Sequence, residues 1–123
     1  KIMSAIGMPK GSDEEKAARA AALEAATLYA TEVPLKTMKA ALEVFPIVKA
    51  MAADGNPNSV SDAGVGALAA RSAVLGAQLN VRIKAAGLAD RETADRLCAE
   101  AAEIAAQAIA AEADVLTVVN AII

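Results

Sequence analysis

Gly64, Gly66, Ala67, Ala70, Ala73, Gly76 and Ala77 recur at helical spacing in one segment. A helix with so little bulk lets a neighbouring backbone approach closely, and interiors filled to crystal-like density are then built from closely packed helices. The same economy of volume runs through the whole chain, with 34 alanines among 123 residues, one Tyr, one Phe and no Trp. A sandwich or barrel draws on β-branched and aromatic residues in short alternating runs, which are missing. The expected class is therefore all-α.

Capping signals divide the chain. Ser12, followed by Asp13, Glu14 and Glu15, reads as a capping box, and a helix is expected from there to Thr31 with Ala18, Ala22, Ala25, Leu28 and Tyr29 on one face. Pro34 suits a first turn, so a second helix is expected from about Val33 to Ala53, kinked at Pro46. The turn cluster Asp54 to Asp62 separates two halves. A third helix follows from Ser61 or Asp62 to about Ala86, closed by Gly87. Asp90 then caps a fourth from Arg91 to the end, with Leu97, Glu100 or Ala101, Ile104, Ala108, Ala111, Val115 and Val118 at helical spacing and the acidic residues placed as an amphipathic helix would place them.

Four long helices joined by short connections predict one domain over residues 1–123, an up-and-down antiparallel bundle. A chain of 12.4 kDa should expose roughly 6,100 Å² when compactly folded. Seams of Ala and Gly bury little apolar area per residue, so upstream helices or a second subunit are expected to complete the core. The opening Ile2 to Gly7 reads as the last turns of a helix, which makes the sequence look like the C-terminal part of a longer domain.

Twelve basic and fifteen acidic residues leave a net charge of −3. Neither a nucleic-acid surface nor a polybasic membrane patch is expected. There is no His, so the usual neutral-pH proton carrier and commonest transition-metal ligand are missing. The lone Cys98 forms no internal disulfide and reads as a small buried hydrophobe; a reducing, cytoplasmic compartment is the default. Tyr29 reads as a core residue with its hydroxyl at an edge, Lys36 and Lys39 as a solvated face.

No CxxC, Walker loop or GxGxxG occurs. The densest polar group is Asn56, Asn58, Ser59, Ser61 and Asp62 at the start of the third helix. Two readings stand side by side. Ser59 or Ser61 caps the helix while Asp62 complements its dipole; or Asp62 is a general acid/base at a cleft edge. Farther along, Asn80 and Arg82 lie about 200° apart on the wheel, so both face one pocket only if it is shared by two subunits or the helix end unwinds.

The segment Gly55-Asn56-Pro57-Asn58-Ser59-Val60-Ser61-Asp62-Ala63-Gly64-Val65, followed by Leu79-Asn80-Val81-Arg82-Ile83, resembles the formiminotransferase-cyclodeaminase C-terminal domain family, which includes methenyltetrahydrofolate cyclohydrolases. Met8-Pro9-Lys10-Gly11, Asp13 to Arg19 and Glu32-Val33-Pro34-Leu35 extend the likeness in the same order over nearly the whole chain. The resemblance implies an all-helical homodimer or larger assembly acting on a tetrahydrofolate derivative as substrate, without metal or other cofactor. It implies Asp62 as the proton-shuttling carboxylate, Asn58 and Ser61 as orienting groups, Asn80 as a substrate contact and Arg82 as the partner of an anionic part of the folate. Two departures are the missing Pro-Gly-Gly-Gly-Ser-like loop and Lys84, where the pattern has Asn. The expected reaction is closure of 5-formiminotetrahydrofolate to 5,10-methenyltetrahydrofolate with loss of ammonia. The alternatives are hydrolysis of the methenyl compound to 10-formyltetrahydrofolate, or a non-catalytic assembly subunit. A long coiled coil is opposed by Pro34, Pro46 and Pro57.

Overall fold

Ser12 starts the first long helix as its sequence dictates. Its Oγ accepts the Glu15 backbone N–H at 3.1 Å, and Asp13, Glu14 and Glu15 set three carboxylates in the first turn. Glu15 reaches back to the N–H of Gly11 at 3.3 Å, one residue beyond the usual capping-box partner. In the computed structural model, which describes all 123 residues, the elements are α1 (Ile2–Ile6), α2 (Asp13–Leu42), α3 (Val44–Asp54), a 3₁₀ turn (Pro57–Ser59), α4 (Val60–Ala85) and α5 (Arg91–Ile122). There is no strand. No helix is long and apolar enough to cross a membrane.

The two helix prolines exchange the roles expected of them. Pro34 does not start a helix; it lies buried inside a continuous α2 that ends only at Leu42. Pro46 kinks nothing, because it sits in the first turn of the separate α3, where the N–H it lacks would have no helical partner. An interior proline costs about 3 kcal/mol. That cost is offset along α2 by packing, since Leu35 and Met38 in the following turn are buried in the core. The inner face of α2 is accordingly Ala26, Thr31, Pro34, Leu35 and Met38 rather than the Ala18-to-Tyr29 stripe. Thr31, fully buried, is satisfied within the helix by donating its hydroxyl proton to the Thr27 carbonyl at 2.8 Å.

α4 is the central element. Ala63, Gly64, Ala67, Ala70, Val74, Ala77, Val81 and Ala85 bury one face of it, with α2 and α3 on one side and α5 on the other. The small residues allow the expected close approaches: a Cβ on Gly66 would meet Val48 of α3 at 3.2 Å, and one on Gly64 would meet Val119 of α5 at 3.4 Å. On α5, Leu97, Ala101, Ile104, Ala108 and Val115 are buried as the spacing predicts.

Gly55 ends α3 by donating to the Met51 carbonyl at 3.0 Å. A Cβ there would collide with that carbonyl, which is rigid backbone. Gly55→Ala should therefore destabilise the fold by about 2 kcal/mol, read as a lower midpoint in a urea titration.

The α4–α5 connection is held at two points. Glu24 of α2 accepts the backbone N–H groups of Ala89 and Asp90 at 2.9 and 3.0 Å. Asp90 caps α5, accepting the Thr93 hydroxyl at 2.7 Å and the Thr93 N–H at 3.1 Å. Those bonds, the hydroxyl's above all, hold the Asp90 carboxyl below its ordinary value of 3.8. A carboxyl depressed in the folded state stabilises above the unfolded pKa and loses that contribution as pH falls through the folded one. The melting temperature should decline as pH drops below 3.8. Asp90→Asn keeps an oxygen for the Thr93 N–H but does not titrate there, so it should flatten that part of the profile in a calorimetric pH series.

The folded chain exposes 7316 Å², about a fifth more than a compact protein of its mass. Much of the excess is apolar: Tyr29, Val33, Val65, Leu68, Leu79 and Ile83 are each more than two fifths exposed.

Candidate functional site

A groove of about 840 Å³ lies between α1, α2 and α4. Its floor is shallow-sided because Ala26, Ala30, Ala73, Gly76 and Ala77 contribute so little volume. Tyr29, Val33 and Pro34 of α2 form one wall. Tyr29 is thus no core residue: it is 48% exposed along the groove, with the Lys1 ammonium 3.8 Å from its ring centre. Asn80 and Lys84 of α4 line the other wall. The Asn80 amide nitrogen donates to the Gly76 carbonyl at 3.2 Å, which leaves its carbonyl oxygen as an acceptor toward the groove. Thr37 and Ser72 add hydroxyl groups. An apolar trough with one aromatic ring, one oriented amide and ammonium groups suits a flat heteroaromatic ligand carrying an anionic group.

Arg82 faces away from this groove, as its wheel angle requires. It lies in a second depression of about 400 Å³ between α4 and α5, with Gln78, Arg91 and the half-buried Cys98. Arg91 is engaged there, its Nη1 donating to the carbonyls of Ala85, Ala86 and Leu88 that α4 leaves open at its end.

Asn58, Ser61 and Asp62 are exposed at the opposite end of α4. Asn56 closes the 3₁₀ turn by accepting the Asn58 N–H at 3.0 Å, so this asparagine is the capping residue of the cluster. Ser59 occupies the position before α4 but makes no capping bond. Ser61 and Asp62 fall in the first turn, and the Asp62 carboxylate complements the helix dipole there. Eighteen residues at 1.5 Å each put Asp62 about 27 Å from Asn80 along the helix. Within one chain, the five residues singled out from sequence occupy three separate places.

Sequence reasoning missed a buried ion pair. Glu112, expected on the outer face of α5, is 5% exposed and accepts Arg71 Nη1 at 2.6 Å, joining α5 to α4. The signal was present, since Glu112 follows Ala101, Ala105 and Ala108 at helical spacing on the inner face. Lys39, expected to be solvated, pairs with Glu100 of α5 at 2.6 Å. No three His, Cys, Asp or Glu side chains converge.

Comparison with known proteins adds identity to this geometry. The formiminotransferase-cyclodeaminase family profile matches residues 1–103. The chain is 43% identical over 107 residues to a methenyltetrahydrofolate cyclohydrolase of Methylorubrum extorquens, covering 87% of this chain and 51% of that protein. It is 35% identical over 88 residues to the formimidoyltransferase-cyclodeaminase of Mus musculus, covering 72% of this chain and 16% of that protein. The Rattus norvegicus counterpart is 34% identical over the same length. The chain spans about half the length of the bacterial relative and a much smaller share of the mammalian ones. With a family profile matched over most of its length, the chain belongs to the formiminotransferase-cyclodeaminase family.

Proposed function

We propose that the chain acts in the hydrolysis of 5,10-methenyltetrahydrofolate to 10-formyltetrahydrofolate. The observation that carries this reading is the 43% identity over 87% of the chain to a cyclohydrolase, against 35% over 72% to a bifunctional cyclodeaminase. Ring closure with loss of ammonia, the expected reaction from sequence, is thereby the second reading. The groove supports a folate in either case. Its apolar trough and Tyr29 suit the flat pterin and benzoyl parts, and Lys84 offers an ammonium to the glutamate carboxylates.

The chemistry asks for one base and correct orientation. Water attacks the carbon bridging N5 and N10 while a carboxylate removes its proton; the bond from that carbon to N5 then breaks as N5 is protonated. The cationic substrate and water give the neutral formyl product and one proton. Asp62 is the proposed base, with Asn58 and Ser61 orienting it or the water. Asn80 holds the ligand through its free carbonyl oxygen. Arg82 lies in the other depression, so it serves an anionic group on that side rather than the ligand Asn80 holds.

Mixing the protein with 5,10-methenyltetrahydrofolate and following the near-ultraviolet band of the methenyl group tests this directly. The band should decay faster than in buffer. Decay at the uncatalysed rate would sink the reading. A rise of the same band from 5-formiminotetrahydrofolate would turn it to the cyclodeaminase.

A further inference from the structure

The groove between α2 and α4 has two unlike ends. α2 runs antiparallel to α4, with Thr27 beside Gly87 just past the end of α4 and Glu24 holding the N–H groups of Ala89 and Asp90. Tyr29 is therefore level with the turn that carries Lys84, and the Lys1 ammonium over the Tyr29 ring belongs to the same end. Twelve residues at 1.5 Å each put Ser72 about 18 Å from Lys84 along α4, and Thr37 of α2 faces the groove toward that second end. Neither ammonium has a carboxylate partner, and no Asp or Glu lines the groove. One end is cationic, and the other carries hydroxyl groups without charge. Thr37 donates its hydroxyl proton to the Val33 carbonyl at 3.3 Å, which leaves its oxygen to accept, and the Ser72 hydroxyl is exposed.

A pteroylglutamate is polarised in the same sense. Its pterin carries amino and ring N–H donors and a carbonyl, its benzoyl ring is apolar, and its glutamate ends in two carboxylates. We propose that the groove takes such a ligand in one direction, with the carboxylates on Lys84, the benzoyl ring against Tyr29 and Val33 and the pterin at Thr37 and Ser72, and that Lys84 is the residue by which the chain prefers a pteroylglutamate to the corresponding pteroate. The inference rests on the folate reading and gives it an orientation. Asn80 fits that orientation: it lies one helical turn, about 6 Å, from Lys84, where its free carbonyl oxygen can accept the amide N–H that joins benzoyl to glutamate. Reversed, the ligand would bring its carboxylates to two neutral hydroxyls and its amino group to the ammoniums, leaving charges of both signs unpaired beside an apolar trough. Ser72 is also the groove residue of α4 nearest Asp62 along the helix, so this direction turns the reacting ring system toward the proposed base. A lysine in the last turn of α4 complements the helix dipole as well, so stability alone does not report its role toward the ligand.

Initial rates with 5,10-methenyltetrahydrofolate and with 5,10-methenyltetrahydropteroate, which lacks the glutamate, test the orientation. For the unmodified chain kcat/KM should favour the glutamate-bearing substrate by about tenfold, the value of one charge-assisted contact at a half-buried lysine. Lys84→Met should abolish that preference through KM, with kcat nearly unchanged, and Lys84→Arg should retain most of it. Ser72→Ala combined with Thr37→Val should instead raise KM for both substrates alike. A preference that survives in Lys84→Met overturns the inference, and so does an equal loss for both substrates in that variant, which would put the pterin at Lys84. Hydrolysis of neither substrate above the buffer rate overturns the folate reading, and this inference with it.

Discussion

Asp62→Asn should lower the rate of methenyltetrahydrofolate hydrolysis by about 10²–10⁴-fold, the usual contribution of a positioned general base, while the melting temperature stays nearly unchanged. The two readouts are separable because of where Asp62 sits. It is exposed in the first turn of α4 and makes no side-chain hydrogen bond, so its structural value is limited to the helix dipole, about 0.5 kcal/mol. Asn preserves shape and oxygen but not the basic charge. A pure capping role, the other reading of the same residue, predicts the opposite pattern: a small loss of stability with turnover intact. Full activity in Asp62→Asn would remove Asp62 from the chemistry and return it to the helix terminus.

Arg71→Ala carries the largest expected loss of stability, about 3 kcal/mol. Glu112 is buried between α4 and α5 and depends on the Arg71 guanidinium 2.6 Å away. Removing the cation leaves a buried carboxylate without its partner, with the cost of desolvation uncompensated. The arginine is itself 39% exposed, so water reaches the site and the loss falls at the lower end of the range for buried pairs. For a chain of this length the melting temperature should fall by about 12 °C. The double variant Arg71→Met with Glu112→Leu should recover most of that, because apolar groups of similar volume need no partner. If Arg71→Ala alone melts like the unmodified protein, the pair contributes nothing to α4–α5 packing.

Helix class, the helix starts at Ser12 and Asp90 and most of the inner face of α5 were legible because they depend on local physics. Ser12 and Asp90 cap as written, since a side-chain oxygen two or three residues before free N–H groups has few other options. The Gly and Ala positions of α4 make the close contacts their size invites. Pro34 and Pro46 were misjudged because the cost of an interior proline, about 3 kcal/mol, can be offset by packing around it, and that packing is not written in the local sequence. The face of α2 was misplaced for a related reason. Among so many alanines several stripes have nearly equal hydrophobicity, and only contact with α4 selects Thr31, Leu35 and Met38 over Ala18, Ala25 and Tyr29.

The candidate site divides the same way. Its residue types and the family they mark are properties of the sequence, and so is the 200° between Asn80 and Arg82. Their partners are not. That Tyr29 lines a groove, that Glu112 is buried on Arg71, and that Asp62 stands about 27 Å from Asn80 on one helix are decided by which faces pack together. The sequence by itself determined the all-helical class and the helix starts at Ser12 and Asp90, through hydrogen bonds spanning three or four residues. Only the tertiary structure decided which of several near-equivalent alanine faces turn inward, because that choice depends on volume fitted between elements far apart in the chain.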